Sequence, residues 1–159
     1  MLSANAMAAA ELEVPFADLY GSRLAALRLD GEAGRIAFSL ALLSPDLDTV
    51  ATGLSPADPR ETFLLGLARG KVDGLTPPDS LARAIAPAFS GRPPEGELAD
   101  LLQENRTGEA ILAAIDKIEK GVQGDLDGVT DGLALLRRVG LDKAARRTAL
   151  ELLLLERRG

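Results

Sequence analysis

Any chemistry in this chain would fall to carboxylates, because histidine and cysteine are both absent from its 159 residues. Without imidazole the commonest general base and nitrogen metal ligand are missing. Without thiol there is no sulfur nucleophile and no thiolate for structural zinc. Two acidic groups facing one cleft can still cleave a glycoside. Such clefts usually carry aromatic platforms for the sugar, and here there is no tryptophan and one tyrosine. Neither G-x-x-x-x-G-K-[ST] nor a strand-linked G-x-G-x-x-G occurs, so no loop is expected to cradle a phosphate. The residues read as a non-enzymatic chain with no catalytic, cofactor or metal site.

The densest acidic run is Gly124-Asp125-Leu126-Asp127-Gly128-Val129-Thr130-Asp131-Gly132. Its Asp-x-Asp start resembles a calcium-binding loop, but an EF-hand needs an oxygen ligand at position five, glycine at six and a bidentate glutamate at twelve. Counted from Asp125, those positions hold Val129, Thr130 and Leu136. The run is therefore read as helix chemistry: Asp125 or Asp127 caps the following helix, and Asp131 favours its positive first turn. Pro56-Ala57-Asp58-Pro59 spells P-x-x-P, yet its second proline serves a helix start rather than an exposed polyproline ligand.

Helix punctuation is legible and recurrent. Asp58-Pro59-Arg60-Glu61 offers a capping carboxylate, a proline at the first helical position and a glutamate at the third. Ser44-Pro45-Asp46 and Thr76-Pro77-Pro78-Asp79 read the same way. Gly31, Gly53, Gly70, Gly91, Gly121 and Gly140 fall near the ends of apolar-periodic stretches, as helix terminators do. These signals predict helices over 15–29, 32–43, 45–53, 59–69, 77–89, 95–104, 107–121, 126–139 and 142–157, with Pro87 ending or kinking the fifth. No segment reads as a strand. Short connections make consecutive helices antiparallel. The fold class is all-α: helical hairpins forming a bundle or a short α-solenoid.

An echo supports the solenoid form. Leu24-Ala25-Ala26-Leu27-Arg28 before Gly31 matches Leu133-Ala134-Leu135-Leu136-Arg137 before Gly140 at an offset of 109 residues. That offset would hold three hairpins of about 36 residues, in the range of stacked helical repeats. The Trp and Gly-Tyr positions of the tetratricopeptide pattern are missing.

The length suits one domain, since domains run to roughly 100–200 residues. Apolar residues make up 47% and charged residues 26%, so a true core is expected. Residues 1–10 read as an expression remnant or a disordered start, with Met7 as an alternative natural start. Residues 11–159 read as one helical domain, whole or part of a larger protein. The proline-rich stretch Ser90–Gly96 is the best internal boundary, but a separate piece after it would be small and lack aromatics. Aromatic side chains are confined to Phe16, Tyr20, Phe38, Phe63 and Phe89. No secretory signal is read at the start, and no run approaches the ~20 apolar residues of a membrane span. A soluble chain is expected, cytoplasmic by default, although the lack of cysteine fits any compartment.

A net charge of −6 argues against nucleic acid as partner, because phosphate binding needs a basic footprint. Residues 134–159 nevertheless hold seven Lys/Arg against three acidic residues, leaving +4 there and −10 on residues 1–133. The last helix carries Leu150 and Leu152 to Leu155, apolar nearly all round, and such a helix must be covered on more than one side. Either it threads between other helices or a partner completes one leucine face. The interface residues read from this are Leu150, Leu153, Leu154, Arg146, Arg147 and Arg157. The first functional expectation is a non-catalytic interaction or scaffold module, binding a protein partner or itself as a homo-oligomer. The alternative is a helical domain binding a small molecule or lipid, or an accessory subunit of an enzyme, with Phe16, Tyr20, Phe38 and Phe63 lining an apolar cavity.

Overall fold

The structure, a computed structural model, describes residues 12–27, 29–121 and 124–155. The reading of residues 1–10, Arg28 of the internal echo and Arg157 of the expected interface lie outside these. Among the described residues the chain forms nine helices and no strand: α1 (Glu13–Ala25), α2 (Gly31–Leu42), α3 (Leu47–Gly53), α4 (Pro59–Ala68), α5 (Ser80–Phe89), α6 (Glu97–Gln103), α7 (Thr107–Gly121), α8 (Leu126–Arg138) and α9 (Asp142–Leu155). Every predicted segment holds one of them.

Local hydrogen bonding explains both the agreements and the shifts. At α4 the Asp58 carboxylate accepts the Glu61 N–H at 2.8 Å, and Glu61 accepts the Ala57 N–H at 2.7 Å. The reciprocal cap is present, with its return bond landing one residue outside the cap. The helix expected from Pro77 starts instead at Ser80, because Asp79 is the cap, accepting the Ala82 N–H at 2.9 Å. Aspartate caps better than threonine, and Pro78 disfavours a helical conformation at Pro77. The helix expected from Pro45 starts at Leu47, since the Ser44 hydroxyl accepts the Asp46 N–H in a turn. Pro87 lies inside α5, which ends at Phe89, two residues beyond it.

Four helices stop in the same way. A residue with positive φ follows the last turn, and the next N–H reaches back five residues: Lys71 to the Gly66 carbonyl, Arg92 to Pro87, Arg106 to Leu101 and Leu141 to Leu136, at 2.8–3.1 Å. Gly70, Gly91 and Gly140 fill the left-handed position as expected, and Asn105, which the glycine pattern passes over, fills the fourth. Gly53 and Gly121 are instead the last residues of α3 and α7, and Gly31 opens α2.

The main apolar cluster joins Phe38 and Leu42 of α2, Phe63 and Leu67 of α4, Ile85 and Phe89 of α5, Val129 and Leu133 of α8, and Ala149 and Leu150 of α9. Apolar packing thus runs across the proline-rich stretch rather than stopping at it. A smaller cluster of Leu98, Ala110, Ala114 and Leu135 fills the space between α6, α7 and α8. Helix α8 contributes to both clusters and packs against α5, α6, α7 and α9. It approaches α7 closely because it has no side chain at the crossing. A Cβ on Gly132 would lie 2.6 Å from Ile118 Cγ1 and 2.7 Å from the Ala114 carbonyl oxygen.

Arginines tie the helix ends together. Each reaches carbonyls in the last turn of a helix, where backbone acceptors are unpaired and the dipole favours a cation. Arg69 donates to the Ala51 carbonyl of α3 at 2.8 Å. Arg146 donates to the Ala68 carbonyl of α4 at 2.7 Å, and Arg137 to the Ala88 carbonyl of α5 at 3.0 Å. Asp142 stands between the last two, 2.8 Å from each guanidinium.

Two substitutions test this packing. Gly132→Ala is expected to cost about 1–3 kcal/mol in urea unfolding, because the nearest obstacle includes backbone that cannot rotate away. Arg146→Ala should cost about 2–4 kcal/mol, since it strips a partner from Asp142 and from the end of α4 at once.

Candidate interaction surface

Among the interface residues read from the sequence, Leu150 is fully buried in the main cluster. Arg146 has a side chain only 12% exposed and is committed to Asp48, Asp142 and the Ala68 carbonyl. Both serve the interior of the chain. Leu153 and Leu154, with Leu152, are half-buried and lie against the main cluster. Arg147 is part-exposed, bonded to Glu151 at 3.0 Å and paired with Asp18 of α1 at 3.5 Å. The leucine-rich last helix thus threads against α4, α5 and α8.

Large exposed apolar side chains collect elsewhere, on α1 and the turn after it. Leu19 is 72% exposed and Leu27 54%, joined by Leu12, Tyr20 and Leu29. Phe16 is half-buried beside Tyr20, with ring centroids 4.8 Å apart. At 100° per residue, Leu12, Phe16, Leu19, Tyr20, Arg23 and Leu27 fall within about 100° of arc, so they form one stripe. The opposite side of the helix explains why the stripe is free. Ala17 and Gly21 are buried there, and a Cβ on Gly21 would lie 2.8 Å from Ser44 Cβ. Small residues draw α1 tightly onto α2 and α3, its main neighbours, and leave its bulky residues outside. The signal for this was in the sequence: α1 has more apolar positions than one buried face can use.

Other expected features separate. Phe38 and Phe63 are core residues, whereas Phe16 and Tyr20 sit on the α1 surface, so the four aromatics do not line one cavity. Two open surface grooves lie away from them. One, of about 490 Å³, is bordered by Glu97, Asp100, Glu104 and Glu109 of α6 and α7 with Arg106 bonded to the last two. The other, of about 460 Å³, follows Pro56–Pro59 and Gly74–Thr76. A second exposed apolar pair, Leu112 and Ile115, occupies the outer face of α7.

The acidic run behaves as helix chemistry only in part: the acid in the first turn of α8 is Asp127, and Asp131, expected there, lies in the second turn. Asp125 accepts the Gly128 N–H at 3.2 Å. Asp131 is part-buried on α8 with one carboxylate oxygen lacking a hydrogen bond. Burial pushes its proton affinity up, against the attraction of Arg92 and Lys117 and a backbone hydrogen bond from Glu95. Among the described residues no group of three or more acidic side chains could hold a metal ion, and no helix is long and apolar enough to cross a membrane. Comparison with protein-family models, with curated proteins and with solved structures gave no match.

The raised Asp131 carboxyl carries a pH prediction. A carboxyl that holds its proton more tightly folded than unfolded weakens the fold once ionised, and the fold recovers stability as pH falls through the folded pKa. Asp131→Asn keeps an acceptor for the Glu95 N–H and removes the charge. Its melting temperature is expected above that of the parent chain at pH 7, with the gap narrowing as the pH is lowered into the ordinary carboxylate range.

Proposed function

We propose that this chain is a non-catalytic interaction module that holds a protein partner through the apolar stripe of α1. The carrying observation is the exposure of Leu19 and Leu27 in line with Leu12, Phe16 and Tyr20 on one helical face. The largest exposed apolar patch on a domain is often a functional one. Anchors spaced by three and four residues suit helix-to-groove or helix-to-helix recognition. Tyrosine and arginine beside leucine give the mixture that dominates binding energy at interfaces. The two grooves support an apolar ligand less well, being open and bordered largely by polar or proline-rich segments. This reading moves the docking face from the last helix to the first. Arg147, which links α9 to α1 through Asp18, is the residue of the earlier set nearest to it.

A photo-reactive side chain placed at Leu19, and separately at the similarly exposed Leu112 on α7, tests the reading in cells. Irradiation is expected to give a polypeptide adduct at position 19 that Leu27→Glu abolishes while the chain stays folded. A yield at position 19 no greater than at position 112 would overturn it.

A further inference from the structure

The α1 stripe has a symmetry that suits a second copy. Its positions are 12, 16, 19, 20, 23 and 27, which read the same in either direction about the midpoint between Leu19 and Tyr20. Two such helices laid antiparallel across a two-fold axis at that midpoint oppose Leu12 to Leu27, Phe16 to Arg23 and Leu19 to Tyr20. Each contact then occurs twice, which is the requirement of an isologous interface. Leu27 can take part because its N–H bonds back to the Leu24 carbonyl at 3.0 Å, continuing the turn beyond the end of α1.

Charge selects the same arrangement. Helix α1 has Glu13 in its first turn and Arg23 in its last. Antiparallel pairing brings the acidic end of one copy to the basic end of the other and opposes the two dipoles, whereas parallel pairing would align like with like. Arg23 is exposed and forms no ion pair with a described residue. Opposite the Phe16 ring it would supply a cation over an aromatic face. The chain already forms that contact once, with Arg137 4.7 Å over Phe89.

We infer that the stripe pairs with a second copy of this chain, as an antiparallel α1-to-α1 dimer. The inference rests on the reading of α1 as the docking face and deepens it. A few hundred Å² per copy is less than the roughly 800 Å² of a standard interface, so the dimer is a weak one, with Kd on the order of 100 μM.

The test uses purified chain alone. Sedimentation from about 10 μM to 1 mM is expected to show a monomer–dimer equilibrium, with Leu19→Glu raising Kd at least tenfold. Because cysteine is absent, introduced cysteines report geometry cleanly. An equimolar mixture of Leu12→Cys and Leu27→Cys chains, folded by circular dichroism, should form a disulfide-linked pair of one of each under mild oxidation. Either chain alone, or Leu112→Cys, should not. A monomer throughout the range, or no preference for the mixed pair, overturns the inference. If position 19 still yields adducts with another protein in cells, the docking face stands with a different occupant; if it yields none, both fall.

Discussion

Asp142 stands between Arg137 and Arg146, and those two guanidiniums close the carboxyl ends of α5 and α4. One acidic residue at the start of α9 thereby holds together the ends of α4, α5, α8 and α9. Arg137 also stacks on Phe89, which anchors the pair to the apolar cluster beneath. The charges satisfy backbone carbonyls that have no partner within their own helices, so the helices can end inside the molecule without an orphaned acceptor. Arg69 repeats the device at α3. The short connections between these helices fix little by themselves. The side-chain bonds at their ends set where each helix lies.

This junction determines what remains for the outside. With α9 drawn in by Arg146 and Leu150, the last helix lays Ala145, Ala149 and Leu150 in the core and Leu152 to Leu154 half-buried against it. The central helix α8 is buried along most of its length, glycine at its crossing with α7 and leucine elsewhere. Helix α1 is held instead by Arg147 to Asp18, by the Ser22 hydroxyl to Ser44 and Asp46, and by its small-residue seam against α2 and α3. The position of α1 at the margin leaves Leu19, Tyr20 and Leu27 exposed. The described grooves are open, and the aromatic residues are divided between core and surface.

The helices were legible because their ends are local. Caps such as Asp58, Asp79 and Asp125, and the left-handed positions at Gly70, Gly91 and Gly140, act on backbone groups within a few residues. Sequence alone could read them. Where two local signals competed, Asp79 set the boundary after Thr76-Pro77-Pro78 by capping, and at Ser44-Pro45-Asp46 the turn closed by the Ser44 hydroxyl delayed the start to Leu47. Asn105 escaped because the pattern sought only glycine at the left-handed position.

The exposed apolar stripe, proposed as a docking face, could not be read that way. The last helix and the first both carry more apolar residues than one face needs, and composition gives no reason to prefer either. The sequence determined that the chain would be helical, where its helices would lie along the chain, and that its aspartates would cap them. Only the tertiary structure decided that Ala145, Ala149 and Leu150 of α9 would be buried and the stripe of α1 left exposed. The reason is that burial depends on which distant helices arrive alongside: Arg146 meets Ala68 across 78 positions of chain, and no local rule sets that distance.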